Sequence, residues 1–252
     1  MAVGLGGEQL WLSPTVANNV NPFDDQSGQG NNGTAQGGLS TVADTSNGGS
    51  FAYDFDGTND YISNSSLDLR NLPAMSWSAW VKDDKTSGLS SFFSHGLNGQ
   101  YSNDTYFFQS AGNNRFQVNQ SGDGSGSATS PTSSTWNHLA VVFDGSGAAN
   151  SNRLRYFANG VEVALSYDYT VPATTGNPSS SSTRIGDYVS APGSNLFVGR
   201  QDDIRAYNRV LTQSEITHLA TSRGVLGPPG GATHYNPFKS HAFINDFQQR
   251  LR

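Results

Sequence analysis

Two groups of acidic and amide side chains have the composition of a metal site. Asp24, Asp25 and Asn31 lie in a polar N-terminal segment, and Asp202 and Asp203 are adjacent much later in the chain. Calcium takes about six to eight oxygen ligands from carboxylates, amides and backbone carbonyls. One interpretation is therefore a structural calcium site formed by Asp25, Asn31, Asp202 and Asp203. In the other interpretation Asp25 and Asp203 accept hydrogen bonds from turn backbone, and the sequence leaves both open.

The carboxylates do not have the pattern of a glycoside hydrolase. Such enzymes need two carboxyl groups about 5–10 Å apart, one as acid and the other as nucleophile or base. The only glutamates are Glu8, Glu162 and Glu215, and they are scattered along the chain. Asp54 and Asp56 share one face of a predicted strand, but Asp56 also precedes a glycine as in an ordinary turn. We therefore predict a protein that binds rather than catalyses, and an aspartate-based glycosidase is the weakest hypothesis.

Aromatic residues in or beside polar loops are candidates for a ligand-binding surface. Aromatic side chains are common at such surfaces because a large apolar ring is combined with a polar group. Trp80 occupies the face of its predicted strand opposite the apolar residues, where it either packs beneath a loop or meets a ligand. Tyr188 is a further candidate. The residues predicted to bind a saccharide are Trp80, Tyr101, Tyr106, Tyr167 and Tyr169.

The segment 225–252 differs from the rest of the chain. Pro228-Pro229 prevents a preceding helix from continuing, and Ser240 could cap a short helix with one apolar face. A lone helix of this length is marginal in water, so it must dock. Docking onto its own domain is the alternative to docking onto another protein. The residues predicted to anchor the chain to a partner protein are Tyr235, Phe238, Phe243, Phe247 and Leu251.

The composition excludes several classes of protein. Only 13% of the 252 residues are charged and 29 are glycine, which suits short strands joined by many turns. The net charge of −6 gives no support for nucleic acid as a partner. Because cysteine is absent, a disulfide framework and a thiolate metal site are excluded. No run approaches the roughly 20 apolar residues of a membrane-spanning helix, and the N-terminus does not read as a secretory signal.

Alternating apolar and polar residues predict the strands that position these side chains. The run 75–82 alternates, and the run 136–143 is more continuously apolar, which predicts a central strand. Trp77 and Trp136 are in phase with apolar neighbours and are predicted to lie in the core. Asn159-Gly160 predicts a type I′ hairpin, because both positions of that turn need positive φ.

The remaining segments predict one helix and two long loops. Thr212 and Glu215 have the spacing of a capping box, which predicts a short helix over 212–222. The segments 121–134 and 174–183 are rich in glycine, serine, threonine and proline, which predicts exposed loops.

Several stretches of sequence carry a family resemblance. Tyr53-Asp-Phe-Asp-Gly-Thr-Asn-Asp-Tyr-Ile62 is followed by Ser76-Trp-Ser-Ala-Trp-Val-Lys82 and by Trp136-Asn-His-Leu-Ala140. The most specific stretch begins Asp202-Asp-Ile-Arg-Ala-Tyr207 and continues to Ile216. Together these motifs resemble laminin-G-like domains of the concanavalin A type, over about residues 8–222.

The resemblance implies an all-β fold, a two-sheet antiparallel jelly-roll sandwich with concanavalin A-like topology. We assign residues 1–224 to the sandwich, with one short helix near 212–222, and residues 225–252 to a linker and C-terminal tail. The resemblance also implies that the first and last strands lie side by side, where some relatives hold a calcium ion. It says little about activity, because this fold hosts lectins, adhesion modules, glycosidases and structural domains.

The leading functional hypothesis is a non-enzymatic structural or adhesion module on the surface of a large assembly. A phage or viral virion fits the missing signal, the absent cysteines and the aromatic tail, with capsid or tail proteins as partners. We then expect an oligomer or a part of a particle, located on the virion surface or outside cells. The alternative is a secreted carbohydrate-binding lectin that recognises cell-surface glycans, with or without calcium.

Overall fold

The computed structural model describes residues 4–17, 21–85, 87–98, 100–110, 112–118, 125–129, 131 and 134–227, without the side chains of 100–103, 108–110 and 125. Sixteen strands and three short α-helices run through these residues. The strands are β1 (Glu8–Leu12), β2 (Thr34–Gln36), β3 (Ser40–Ala43), β4 (Phe51–Asp56), β5 (Tyr61–Asn64), β6 (Ala74–Asp83), β7 (Leu89–Leu97), β8 (Gln100–Ser110), β9 (Asn113–Gln117), β10 (Ser125–Thr129), β11 (Asn137–Asp144), β12 (Leu154–Ala158), β13 (Val161–Val163), β14 (Ser166–Tyr167), β15 (Ser182–Ile185) and β16 (Val198–Tyr207). The helices are α1 (Pro14–Ala17), α2 (Asn150–Arg153) and α3 (Gln213–Leu219).

The strands form two antiparallel sheets of eight strands each. Sheet 1 has the order β13-β12-β11-β6-β16-β4-β3, with β1 paired to β16. Sheet 2 has the order β14-β10-β9-β8-β7-β15-β5-β2. Strands that neighbour each other in a sheet are often distant in sequence, as expected of a jelly roll. The predicted all-β sandwich is therefore confirmed, including the pairing of the first strand with the last.

The main core lies between the two sheets and is formed by alternate residues of the strands. In β6 the residues that join this core are Met75, Trp77, Ala79 and Val81, which is the alternation expected of a strand with one face on the core. The strand predicted from 136–143 is observed as β11, and it lies inside sheet 1 between β12 and β6.

Local turn and cap chemistry is also as predicted. Asn159 and Gly160 have φ values of 51° and 81°, and they connect β12 to β13. The side chain of Thr212 accepts from the backbone N–H of Glu215, and the Glu215 carboxylate accepts from the backbone N–H of Thr212. This capping box starts α3, which ends at Leu219, a little before the predicted end at 222.

A second, smaller apolar cluster lies on the outer face of sheet 1, the face turned away from sheet 2. There α3 places Ile216 and Leu219 against Val142, Phe157 and Tyr207. The helix therefore covers one half of that face.

The last strand of the sandwich, β16, contains an irregularity. The register between β16 and β6 shifts between Asp202 and Arg205, and Asp203 has a positive φ of 51°. On one side of β16, residues 198–201 pair with β4 and residues 204–207 pair with β1. Asp202 and Asp203 thus lie at a bulge where the partner strand changes.

One predicted loop is wrong. The segment 121–134 contains β10, which pairs with both β9 and β14. The sequence did not predict this strand because it contains glycine and serine, which have no strong preference for strands. None of the described helices is long and apolar enough to cross a membrane.

Candidate ligand-binding site

A continuous row of polar side chains crosses the outer face of sheet 2. The strand register places Ser63 opposite Arg184, Arg184 opposite Ser94, Ser94 opposite Tyr106, and Tyr106 opposite Gln117. Their neighbours along the strands point the other way, into the main core; those core neighbours are Ile62, Ile185, Phe93, Phe107 and Phe116. Because successive side chains alternate between faces, the row faces away from the core.

At one end of this row a tyrosine and an arginine form a flat stack. Tyr61 lies two residues before Ser63 and shares its face, and the Arg184 guanidinium carbon lies 4.4 Å from the Tyr61 ring centroid. Arg184 also donates from Nη1 to the Asp187 carboxylate at 2.5 Å. Both Tyr61 and Arg184 are half-buried. Packing between ring, guanidinium and carboxylate therefore fixes their orientation while leaving part of the stack open to solvent.

The middle of the row is covered by the segment that follows β15. Ser94 Oγ donates to the Asp187 carbonyl at 2.9 Å, and the backbone N–H of Val189 donates to Ser94 Oγ at 2.9 Å. The Asp187 carboxylate in turn accepts from the backbone N–H groups of Tyr188 and Gly193. The segment is thus pinned to the sheet at its start.

Beneath this segment lies a fully buried carboxyl group, that of Asp104. Ser190 Oγ donates to it, Tyr188 Oη lies 3.5 Å from it, and the Tyr188 ring meets Tyr106 edge-on at 5.2 Å. Burial raises the pKa of Asp104 to about 6, although the hydrogen bonds of Ser190 and Tyr188 and the backbone of Leu97 oppose the shift. A side chain at Gly96 would collide with this carboxylate.

We name the surface formed by Tyr61, Ser63, Arg184, Tyr106 and Tyr188 the tyrosine face. Its accessible part combines an aromatic plane, a guanidinium and the Ser63 hydroxyl, which accepts from Gln36 Nε2 at 3.1 Å. Planar aromatic and polar groups in one surface suit a ligand that has both C–H faces and hydroxyl groups. The Asp104 carboxyl is sealed below and is not available to a ligand.

The structure corrects two of the predicted ligand residues. Trp80 is only 3% exposed, because its ring lies beneath α3 and its indole N–H donates to the Leu219 carbonyl at 3.2 Å. Tyr106 does lie on the tyrosine face, but it is only 6% exposed, and its hydroxyl donates to the Gln117 side chain. Neither ring is open to a saccharide.

Two other predicted ligand residues, Tyr167 and Tyr169, do not join the tyrosine face. Tyr167 is half-buried against the main core, and its hydroxyl donates to the Leu154 carbonyl at 2.8 Å. Tyr169 is 52% exposed, beyond the end of β14 at the edge of sheet 2. Tyr101 lies in β8, and its side chain is outside the described part of the chain.

The predicted metal ligands of the N-terminal segment form an ordered turn. The Asp25 carboxylate accepts from the backbone N–H groups of Trp11, Ser27 and Asn31, and from the Ser27 hydroxyl, at 2.7–2.9 Å. Asn31 donates its amide to the Gln9 carbonyl at 2.6 Å. Trp11 brings the two predicted groups together, because its indole N–H donates to Asp203 at 2.7 Å.

Two buried arginines donate to the other predicted ligands, Asp203 and Asp202. Asp203 accepts from Arg205 Nε at 2.8 Å, and Asp202 accepts from Arg223 Nη1 at 3.3 Å. Asp202 also accepts from the hydroxyls of Ser13 and Thr15, each at 2.7 Å. We name the set Glu8, Asp202, Asp203, Arg205 and Arg223 the charge cluster; its five side chains are at most 5% exposed.

These residues do not fit a calcium ion. The oxygens that would bind it are occupied by protein donors, and guanidinium groups already supply the positive charge that a cation would bring. Among the described residues, no three acidic or histidine side chains are arranged to hold a metal. The contacts support the interpretation that Asp25 accepts from turn backbone, since three backbone N–H groups donate to its carboxylate. Asp203 instead accepts from two side chains, the Trp11 indole and Arg205.

The sequence did not single out Tyr61 and Arg184. A signal for Tyr61 was present, since it alternates in phase with the outward Ser63, but nothing in the sequence places Arg184 on a neighbouring strand. The predicted partner anchors Tyr235, Phe238, Phe243, Phe247 and Leu251 lie outside the described residues.

Comparison with protein families gives one match. The family model described as the concanavalin A-like lectin/glucanases superfamily matches residues 56–217, well over half of the chain. None of the curated proteins compared with the chain matches it in sequence.

Solved structures share the fold at low sequence identity. The binding domain of Paraclostridial Mosquitocidal Protein 1 is 16% identical, with a TM-score of 0.60 over 85% of this chain and 52% of that chain. Domain 4 of AbnA, a GH43 extracellular arabinanase from Geobacillus stearothermophilus in complex with arabinotriose, is 20% identical, with a TM-score of 0.59 over 87% of this chain and 100% of that domain.

A third structure is the binding domain of Botulinum Neurotoxin DC in complex with SialylT. It is 12% identical, with a TM-score of 0.61 over 85% of this chain and 51% of that chain. This chain therefore spans about half the length of the toxin binding domains that it matches, and the whole of the arabinanase domain.

Proposed function

Because the chain belongs to the concanavalin A-like lectin/glucanase superfamily, we propose that it is a non-catalytic carbohydrate-binding domain. Its ligand contacts the accessible part of the tyrosine face. The proposal makes the lectin-like alternative more specific, since it needs no calcium and uses other residues than the loop tyrosines.

The observation that carries this proposal is the stack of Arg184 on Tyr61. A stacked guanidinium is held flat, so its N–H groups lose little conformational freedom when they bind hydroxyl oxygens. Ser63 lies opposite Arg184 on the next strand. Its hydroxyl donates to the Thr34 carbonyl at 3.3 Å and accepts from Gln36, which leaves one lone pair that can accept from a ligand. Saccharides present vicinal hydroxyls beside apolar C–H groups, and this surface is complementary to both.

The solved relatives support a binding role over a catalytic one. Two of them are binding domains of toxins, and one was solved with SialylT. The relative of matching size is a domain of an enzyme, solved with arabinotriose. These likenesses favour carbohydrate as the ligand class, and they supply arabinotriose and sialylated glycans as the first probes.

The carboxyl groups on the tyrosine face do not favour glycoside hydrolysis. That reaction needs two carboxyl groups on either side of an accessible glycosidic bond. Asp104 is sealed beneath Tyr188 and Ser190, and the Asp187 carboxylate is engaged by Arg184 and by backbone N–H groups. Neither carboxyl is open to a substrate.

A glycan array carrying neutral and sialylated saccharides, arabinotriose among them, tests the proposal with the full chain. Tyr61→Ala and Arg184→Ala should each weaken binding of the recognised glycan by about tenfold or more, as removal of a central anchor does. Calorimetry with that glycan gives the affinities. Tyr169→Ala is the matched control, because Tyr169 is an exposed tyrosine that lies away from the face.

The binding of these variants distinguishes between the two candidate sites. Loss of binding in Tyr61→Ala with full binding in Tyr169→Ala supports the tyrosine face. The reverse pattern would move the site to the edge of sheet 2, where Tyr169 lies. If the folded chain binds no glycan on the array, the carbohydrate-binding proposal is wrong.

Attachment to a virion or other large assembly stays a prediction, as do the virion or extracellular location and the domain boundary after residue 224. Residues 228–252 lie outside the described part of the chain. The full chain can be compared with a Phe243→Asp, Phe247→Asp variant by light scattering after gel filtration. An oligomer that the two substitutions convert to a monomer would support attachment through the tail, and equal masses would contradict it.

A further inference from the structure

The outer face of sheet 1 has an uncovered half with its own row of side chains. Lys82 lies directly opposite Arg200, and Arg200 lies directly opposite Asp54. Asn137 pairs with Val81, so the preceding residue, Trp136, comes next to Lys82. We name Trp136, Lys82, Arg200 and Asp54 the tryptophan row; with strands about 4.8 Å apart it spans roughly 14 Å.

All four residues share the outer face. Lys82 follows Trp80 by two residues, and Trp80 lies beneath α3 on that face. In β4 the core residues are Tyr53 and Phe55, so Asp54 points outward. The same alternation directs Trp136 outward, since Leu139 and Val141 of β11 point into the core. The prediction that Trp136 is a core residue is therefore wrong.

Trp136 is held in place from below but belongs to neither apolar cluster. The Arg223 guanidinium carbon lies 4.2 Å from its ring centroid, and its indole N–H donates to Asp44 at 3.2 Å. Trp136 remains half-buried. Of its two neighbours in the chain, Thr135 is exposed and Asn137 is buried. The tryptophan is thus a preoriented ring with an exposed part.

Arg200 is held in the same way. It donates from Nη1 to Asp44 at 2.9 Å and from Nε to Asp54 at 3.1 Å. The Arg200 and Asp54 side chains are 32% and 43% exposed, whereas that of Asp44 is 6% exposed. Asp44 therefore anchors both Trp136 and Arg200 from beneath, and the exposed parts of Arg200 and Asp54 offer a donor and an acceptor side by side.

We propose that the tryptophan row is a second carbohydrate site, one that binds a neutral saccharide. It rests on the proposed carbohydrate-binding function and adds a site on the opposite sheet. The ring of Trp136 packs against the C–H face of a sugar, while Arg200 and Asp54 bind its hydroxyls. Lys82 lies between Trp136 and Arg200 as a further donor, and it forms no ion pair within the described residues.

Charge favours a neutral saccharide over an acidic one. Two guanidinium groups, of Arg200 and Arg223, contact three carboxyl groups, of Asp44, Asp54 and Asp202. Lys82 supplies the remaining positive charge and brings the patch close to neutrality. An acidic saccharide would have to approach the exposed Asp54 carboxylate, which repels it.

The test uses the full chain with both sites separately disabled. Trp136→Ala and Arg200→Gln disable the tryptophan row, and Tyr61→Ala disables the tyrosine face. Arrays of neutral and sialylated saccharides identify the glycans bound, and calorimetry with each one bound gives affinity and stoichiometry. Trp136→Ala should weaken at least one neutral glycan by about tenfold or more, and Trp136→Tyr should restore much of that binding because the ring is retained.

The results distinguish this proposal from the first one. If Trp136→Ala and Arg200→Gln leave every bound glycan unchanged while Tyr61→Ala loses one, the second site is wrong and the first stands. If only Trp136→Ala and Arg200→Gln lose binding, the second site stands and the tyrosine face is wrong. Loss of sialylated rather than neutral glycans in Trp136→Ala would overturn the assignment of a neutral ligand. Equal melting temperatures of the Trp136→Ala and Trp136→Tyr variants exclude unfolding as the cause.

Discussion

The charge cluster and the tryptophan row each combine an arginine of β16 with an aspartate and a neighbouring tryptophan. The two arginines, Arg205 and Arg200, are five positions apart on that strand. In the charge cluster Arg205 stacks at 4.0 Å on Trp11 and pairs with Asp203 at 2.8 Å. In the tryptophan row Arg200 pairs with Asp54 at 3.1 Å, near Trp136. The side chain of Arg205 is fully buried, whereas that of Arg200 is 32% exposed.

Burial changes what an ion pair can do. A buried charge has no water to solvate it, so its protein partners must be kept, and removing one partner is very costly. A half-exposed pair contributes little to stability because water and salt screen it. The same chemistry therefore serves folding in the charge cluster and is free to bind a ligand in the tryptophan row.

The largest expected effect comes from removing the buried arginine. Arg205→Met leaves the carboxylates of Asp203 and Glu8 buried without their cation, which should lower the free energy of unfolding by about 3–5 kcal/mol. Arg200→Met is the matched control and should cost about 1 kcal/mol or less. Urea denaturation of both variants checks the pair, and similar losses would contradict the distinction between the two regions.

A smaller difference is expected between the two tryptophans that neighbour these arginines. Trp11→Phe removes the indole N–H that donates to the buried Asp203 carboxylate, which should cost about 1–3 kcal/mol. Trp136→Phe also removes an indole N–H, which donates to Asp44 at 3.2 Å. The position is half-exposed, Asp44 keeps Arg200 and Arg223 as partners, and a ring remains over Arg223, so about 1 kcal/mol or less is expected. Thermal unfolding followed by circular dichroism measures both, and a greater loss of stability in Trp136→Phe would contradict the expected difference.

The pH dependence of stability should reveal the buried carboxyl of Asp202. Burial, and next the charge of Asp203, raise its pKa to about 7, although Ser13, Thr15 and Arg223 oppose the shift. The unfolded value is about 3.9, so the folded state binds more protons between these values. Stability therefore falls as the pH rises from about 4 to 7, by at most about 1.4 kcal/mol per pH unit for one group.

Asp202→Asn removes the titrating carboxyl group, so comparison with the wild-type chain isolates its contribution to the pH dependence of stability. Burial lowers the pKa of His95 to about 4 and that of His138 to about 3, and both act in the opposite direction. They are unchanged in the variant, so they cancel in the difference. The stability of the wild-type chain relative to Asp202→Asn should decline between pH 4 and 7, and a difference that stays level with pH would refute the assignment.

The smallest effect is expected from a metal chelator. Because Asp203 and Asp202 already accept from Arg205 and Arg223, adding EDTA to the full chain should leave the melting temperature unchanged. Calcium added afterwards should also leave it unchanged. A melt lowered by chelator and restored by calcium would show that the charge cluster gives an incomplete account of this junction.

The sequence determined the parts of the fold that depend on local chemistry. Alternation in β6 predicted which residues join the core, because a strand exposes successive side chains on opposite faces. Asn159-Gly160 and the Thr212–Glu215 pair predicted a hairpin and a helix start, since both act through backbone atoms a few residues away. The family resemblance supplied the pairing of the first strand with the last.

Only the tertiary structure decided which outward residues remain accessible. Trp80 and Trp136 both point away from the core, yet α3 buries one and leaves the other half-exposed. Tyr106 is covered by a segment more than 80 residues later in the chain, pinned at Ser94 by the backbone of Asp187 and Val189. Periodicity assigns a side chain to a face, whereas exposure depends on which distant segment packs over that face. For the same reason Asp202, predicted to bind calcium, instead meets Arg223, which the turn after α3 brings to it. Asp203 pairs with Arg205 of its own strand.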